Sequence, residues 1–107
     1  MPTKQPASFP AERKLLADFG ERLRLARLRR QVSVDTAAAR AGISRMTLYR
    51  AEKGESAVAI GTYLRILASL RLAGDIALLA RDDELGRRLQ DLELPQRVTR
   101  ARKKAAL

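Results

Sequence analysis

The stretch from Ser33 to Gly54, SVDTAAARAGISRMTLYRAEKG, limits the fold more than any other part of the chain, because it spells two short helices with room for only a tight turn between them. Ser33 and Ser44 each stand where a helix begins, and a serine oxygen there accepts from backbone N–H groups that have no carbonyl partner inside the helix. Gly42 falls between the two, where the chain needs a positive φ and a side chain would clash. The apolar residues sort onto facing sides: Ala37, Ala38 and Ala41 on the first helix, Ile43 in the turn, Leu48 and Ala51 on the second. Ala38 has to be small for the second helix to approach it. The face left outward on the second helix holds Arg45, Met46, Thr47, Tyr49, Arg50 and Lys53. Its hydrogen-bond donors and positive charge suit the major groove of DNA.

Composition narrows the chemistry. With 107 residues the chain makes one compact domain with tails. It has no cysteine and no histidine, so disulfides, thiolate metal sites and imidazole catalysis are excluded. The expectation is no catalytic residue, no metal, no cofactor and no enzyme activity. The carboxylates Asp82, Asp83 and Glu84 are better explained as the start of a helix than as acid–base groups. No apolar run approaches the roughly 20 residues that span a bilayer, and MPTKQPASFP lacks the apolar core of a secretory signal. A cytoplasmic protein is expected, nucleoid-associated when bound to DNA, with no membrane partner. Lys and Arg number 22 against 12 Asp and Glu, a net charge of +10 that draws polyanions. That charge sits at the ends: residues 57–93 carry 5 basic and 6 acidic groups, whereas 94–107 carry 5 basic groups and no acid. A near-neutral middle-to-late surface suits protein better than DNA.

In chain order, residues 1–8 read as a flexible arm and 9–72 as the DNA-binding domain. Its opening helix starts near Ser8 to Pro10 and runs to about Gln31, burying Leu16, Phe19, Leu23 and Ala26, with Arg22, Arg24, Arg29 and Arg30 on its outer face. Of these, Arg29 and Arg30 are the candidates to reach a DNA backbone. After a loop, a helix from Ile60 to Leu70 closes the core with Ile60, Leu64, Leu67 and Leu70, and its N-terminus around Ala59 to Thr62 suits a phosphate. Residues 73–94 read as a dimerisation or partner segment. In it, Ile76, Leu78 and Leu79 fit a short helix better than a strand, and Leu85, Leu89 and Leu92 line one face of a further helix. Leucines that so small a core cannot cover imply a partner surface, with Ile76, Leu78, Leu79, Leu85 and Leu89 as its dimerisation residues. Residues 95–107 read as a basic, disordered tail.

The stretch from about residue 15 to 72 resembles the Cro/CI-type (XRE) helix-turn-helix, carried by Ala38, Gly42, Ser44 and the closing Glu52-Lys53-Gly54. The resemblance implies an all-α, five-helix domain followed by a C-terminal dimerisation segment. It also implies an ion pair between Arg27 and Glu52, which occupy the positions that pair in that family. Val34 departs from the pattern, which has a glutamine there that touches a phosphate and orients a side chain of the second helix, so that contact is expected to be missing. Ala37 stands where leucine is common, which makes the core slimmer.

On this reading the protein is a dimeric, sequence-specific repressor acting on a double-stranded DNA operator. Arg45 and Arg50 read guanine, Met46 meets a thymine methyl, and Ser44 and Thr47 hold phosphates. The DNA-binding set is Ser33, Ser44, Arg45, Met46, Thr47, Tyr49, Arg50 and Lys53, with Tyr49 either packing over the motif or touching DNA. As a whole the chain resembles HipB-like antitoxins, with LGRRLQDLELP at residues 85–95 prompting the likeness. That resemblance implies repression of its own operon and binding of a HipA-like kinase toxin. A stand-alone XRE-type regulator is the alternative. A non-specific nucleic-acid module is weaker, because only Phe9, Phe19, Tyr49 and Tyr63 are available to stack on bases.

Overall fold

The computed structural model describes residues 9–92, so the expected arm at 1–8 and the tail at 95–107 lie outside the described residues. The described chain is helical, without a strand: α1 Pro10–Arg29, α2 Val34–Ala41, α3 Arg45–Glu52, α4 Ile60–Ser69, a 3₁₀ helix Ala73–Leu78, and α5 Glu84–Asp91. It divides into two compact units, the first ending at Ile76 and the second beginning at Ala77. The first unit thus holds four α-helices where five were expected. The stretch around Ile76 makes only the 3₁₀ helix, since Gly74 disfavours an α-helix and the left-handed Ala80 (φ 57°) stops the run soon after.

Each of the four helices of the first unit ends in the same way. A left-handed residue stands just after the cap in α1, α3 and α4 and at the cap itself in α2, and two backbone N–H groups reach back to carbonyls of the last turn. In α1 the left-handed residue is Gln31 (φ 54°), with Gln31 N donating to Leu28 O and Val32 N to Arg27 O. The helix therefore stops at Arg29, short of the expected Gln31. Gly42 (φ 69°), Gly54 (φ 72°) and Arg71 (φ 62°) close α2, α3 and α4. At Gly54 no other residue fits, because a Cβ there would also collide with the Leu16 carbonyl of α1.

Helix α2 packs on α3 and α4, and α1 packs on α3. Their shared core consists of Leu23, Ala26, Ala37, Ala38, Ala41, Leu48, Ala51, Tyr63, Ile66, Leu67 and Leu70. Five of these eleven are alanines, so the helices sit close and the core is thin. The expected stripe on α1 is half realised: Leu23 and Ala26 are buried, whereas Leu16 and Phe19 are half-buried at its margin. On α4 the stripe is different from the expected one. Tyr63, Ile66, Leu67 and Leu70 face inward, while Ile60 is 69% exposed and Leu64 faces solvent. Both sets have helical spacing. Tyr63 decides between them, since its ring packs on Phe19 with centroids 5.2 Å apart and its hydroxyl donates to the Glu55 carbonyl at 2.8 Å.

In the second unit Asp83 caps α5 by accepting from Gly86 N at 2.8 Å, and Asp82 pairs with Arg87 at 2.7 Å. None of the described residues from Ala77 to Leu92 is buried.

Candidate nucleic-acid interface

The outward face of α3 is built by two serines. Ser33 Oγ accepts from Thr36 N at 3.1 Å, and Ser44 Oγ accepts from Thr47 N at 3.1 Å, so α2 and α3 begin with the same cap. Each serine hydroxyl also donates to the hydroxyl of its own threonine, at 3.0 Å to Thr36 and 2.9 Å to Thr47. A cap of this kind contributes about 1 kcal/mol to its helix. It fixes where α3 starts, and with that which side chains turn outward. Leu48, Ala51 and Glu52 point into the protein; Arg45, Met46, Tyr49, Arg50 and Lys53 are exposed, and Thr47 is half-buried.

The rear of α3 is anchored by charge. Arg27 Nε donates to Glu52 Oε2 at 2.8 Å and Arg27 Nη2 to Glu52 Oε1 at 3.0 Å, a two-pronged pair between the last turns of α1 and α3. Arg27 Nη1 donates to the Val32 carbonyl at 3.0 Å, which ties the same side chain to the entry of α2. The two side chains are only 10% and 6% exposed. Hydrogen bonding to Glu52 raises the Arg27 pKa above its ordinary value, against the opposing cost of burial. Both partners are thus satisfied, and removing either would strand the other away from water.

A second anchor was not legible in the sequence reading. A Cβ on Gly20 would stand 2.5 Å from Gly54 N and 2.7 Å from the carbonyl oxygens of Ala51 and Glu52, so α1 touches the end of α3 backbone to backbone. The signal available was a glycine inside a helix, where it costs about 1 kcal/mol relative to alanine. Residues 16, 20, 23 and 27 form one stripe of α1, and the backbone at Leu16 and Gly20 lies against the end of α3.

Arg45 is held at the tip of this face. Its Nε lies 2.8 Å from Asp35 Oδ1 of α2. The neighbouring Tyr49 hydroxyl, followed by the charge of Asp35, raises its pKa above the ordinary arginine value. Val34 stands where the pattern has the glutamine, and Arg45 is met from α2 by a different residue. Val34 is half-buried and packs on the core, and the neighbouring Asp35 makes the contact instead. Being an anion, it cannot supply the phosphate contact. Arg50 has no ion pair among the described residues. Arg30, expected to reach a DNA backbone, turns back to donate to the Ala26 carbonyl at 2.8 Å. The rest of the basic face of α1 is partly neutralised by Lys14–Asp18 and Arg24–Glu21 pairs, as a solvated face would be. No side chain caps α4, and the space beside Gly61 in its first turn is open.

A short helix crossing a second, a glycine turn between them and a basic outward face define a helix-turn-helix protein. The family model described as a helix-turn-helix domain matches residues 18–79, more than half of the chain. The chain belongs to that family, which points to binding DNA. No curated protein matches it. No helix among the described residues is long and apolar enough to cross a membrane.

Proposed function

We propose that this protein is a sequence-specific transcriptional repressor that binds its operator as a homodimer. One observation carries the reading: α3 is fixed from behind by Arg27–Glu52 and Gly20, yet turns Arg45, Met46, Tyr49 and Arg50 outward with no task in the core. Arg45 and Arg50 pair with guanine O6 and N7, and Met46 meets a thymine methyl. Thr47, Lys53 and the uncapped start of α4 hold phosphates and set the register, with Ser33 and Ser44 at the starts of the two motif helices. An eight-residue helix is about 12 Å long and reads only a few base pairs, so specificity needs two copies on half-sites about 34 Å apart. Exposed Leu78, Leu79, Leu85 and Leu89, with half-buried Ile76, supply the dimer surface in this reading.

The finer proposal is the antitoxin of a HipBA-like module, which represses its own operon and binds a kinase toxin. It rests on the resemblance of residues 85–95, of which 93–95 lie outside the described residues. In this proposal the protein has no catalytic role. A stand-alone XRE-type regulator would bind an operator but no kinase, and binding of the protein to a kinase encoded beside it separates the two.

The test of DNA reading is selection of bound sequences from a random duplex pool, followed by competition of the selected site against random duplex. Arg45→Ala and Arg50→Ala should each lose about 1–3 kcal/mol of discrimination, with non-specific binding much less affected. Unchanged discrimination in both variants would remove α3 as the reader.

A further inference from the structure

The acidic residue at the reading face calls for explanation, since a carboxylate beside DNA is repelled by phosphate. Asp35 lies in the first turn of α2, where an acid is favoured by the helix dipole. That role alone does not account for its geometry. The α2 cap is already filled by Ser33, and the Asp35 carboxylate is turned across to α3, where Oδ1 meets Arg45 Nε at 2.8 Å. Both side chains are well exposed, at 71% for Asp35 and 63% for Arg45, so water and salt screen the pair and it does little for stability. Its effect falls on the position of Arg45.

We propose that Asp35 is a positioning residue for base recognition: by holding Arg45 at Nε it presents the terminal Nη1 and Nη2 groups as a pre-set fork and so sets the base preference of α3. The inference rests on the DNA-reading function proposed above and adds to it the residue that makes Arg45 selective. A free arginine has many rotamers and pairs with any phosphate it can reach. With Asp35 Oδ1 2.8 Å from its Nε, this one is biased toward the region in front of α3 before DNA arrives. The two terminal nitrogens match the paired acceptors O6 and N7 of guanine. The carboxylate also acts against the wrong contact, because an Arg45 swung onto a backbone phosphate would leave Asp35 beside that phosphate without its cation.

Specificity and general affinity therefore move in opposite directions when Asp35 loses its charge. The experiment uses the full chain and three variants, Asp35→Asn, Asp35→Ala and Asp35→Glu. Each is put through selection from a random duplex pool and titrated with a fixed random duplex at several salt concentrations. Asp35→Asn and Asp35→Ala should lose about tenfold of the preference for the base read by Arg45, within the range that a two-pronged arginine contact supplies. They should bind the random duplex several-fold more tightly at low salt, with an unchanged melting temperature. Asp35→Glu keeps the charge and should recover most of the preference. Retained preference in the Asn variant, when the parent chain selects a clear sequence, overturns this inference and leaves the DNA-reading function standing. A uniform loss of binding to all sequences together with a lower melting temperature marks a structural residue and overturns it as well. A parent chain that enriches no sequence overturns the function itself.

Discussion

The residues up to Ile76 and those from Ala77 to Leu92 use apolar side chains in opposite ways. The later stretch places five leucines among sixteen residues, and every one of them is exposed, with Leu85 at 67%. The earlier stretch builds its core from five alanines and six larger side chains and closes it around Leu48, which is 1% exposed. Apolar content is thus a poor guide to which region is stable by itself. What matters is whether facing elements bring apolar surface together, and α5 among the described residues is capped and amphipathic with its leucines unburied. The first unit is a finished core. The second leaves its leucines uncovered among the described residues.

Breaking the buried ion pair should produce the largest effect. Arg27→Ala leaves Glu52 charged in a seam with little water, and should cost about 3–5 kcal/mol by denaturant unfolding without DNA. Glu52→Ala should cost a similar amount. The double variant should lose far less than the sum, because the second change removes the stranded charge. Additive losses would mean that the two side chains do not act as a unit.

A matched pair of truncations sharpens the contrast between the units. Leu48→Ala removes the most buried leucine and should cost about 2–5 kcal/mol. Leu85→Ala, the same chemical change on α5, should alter the stability of a monomer by less than about 0.5 kcal/mol. Its effect should instead appear in self-association, as a rise in the concentration at which sedimentation detects dimer. Equal loss of monomer stability in both variants would show that α5 already has a buried partner within one chain.

The smallest effect concerns Tyr63 and the upper end of the pH range. Burial, with a lesser contribution from the charge of Glu55, raises its hydroxyl above the ordinary phenol value. Below about pH 10 the hydroxyl is protonated in both the folded and the unfolded chain. Above it the unfolded chain ionises first, so the folded state holds more protons and stability falls as pH rises. Tyr63→Phe should lose about 1 kcal/mol at neutral pH with the hydrogen bond to Glu55, and should show a shallower alkaline decline. A decline as steep as in the parent chain would assign it to other groups.

Helix ends were the most legible feature of this chain. Ser33, Gly42, Ser44 and Gly54 each act through backbone groups within a few residues, so the residue type at one position is nearly sufficient to place a cap or a turn. For the same reason the outward set on α3 followed from its start at Ser44 and the helical repeat. The end of α1 was less legible, because its left-handed residue is Gln31, which lacks the glycine signal. The 3₁₀ helix around Ile76 was ambiguous, since a run so short has no period to measure.

By itself, then, the sequence determined the two motif helices, the tight turn between them and the basic face of the second, because local hydrogen bonding and helical periodicity specify all three. Tertiary structure decided the rest. It chose Tyr63 and Ile66 over Ile60 and Leu64 for the core, seated α3 against Gly20, and turned Asp35 toward Arg45. Each of these depends on how helices cross. Two stripes on one helix, or an acid at the start of another, are equally good sequences until a neighbouring element arrives to bury one side or offer a partner.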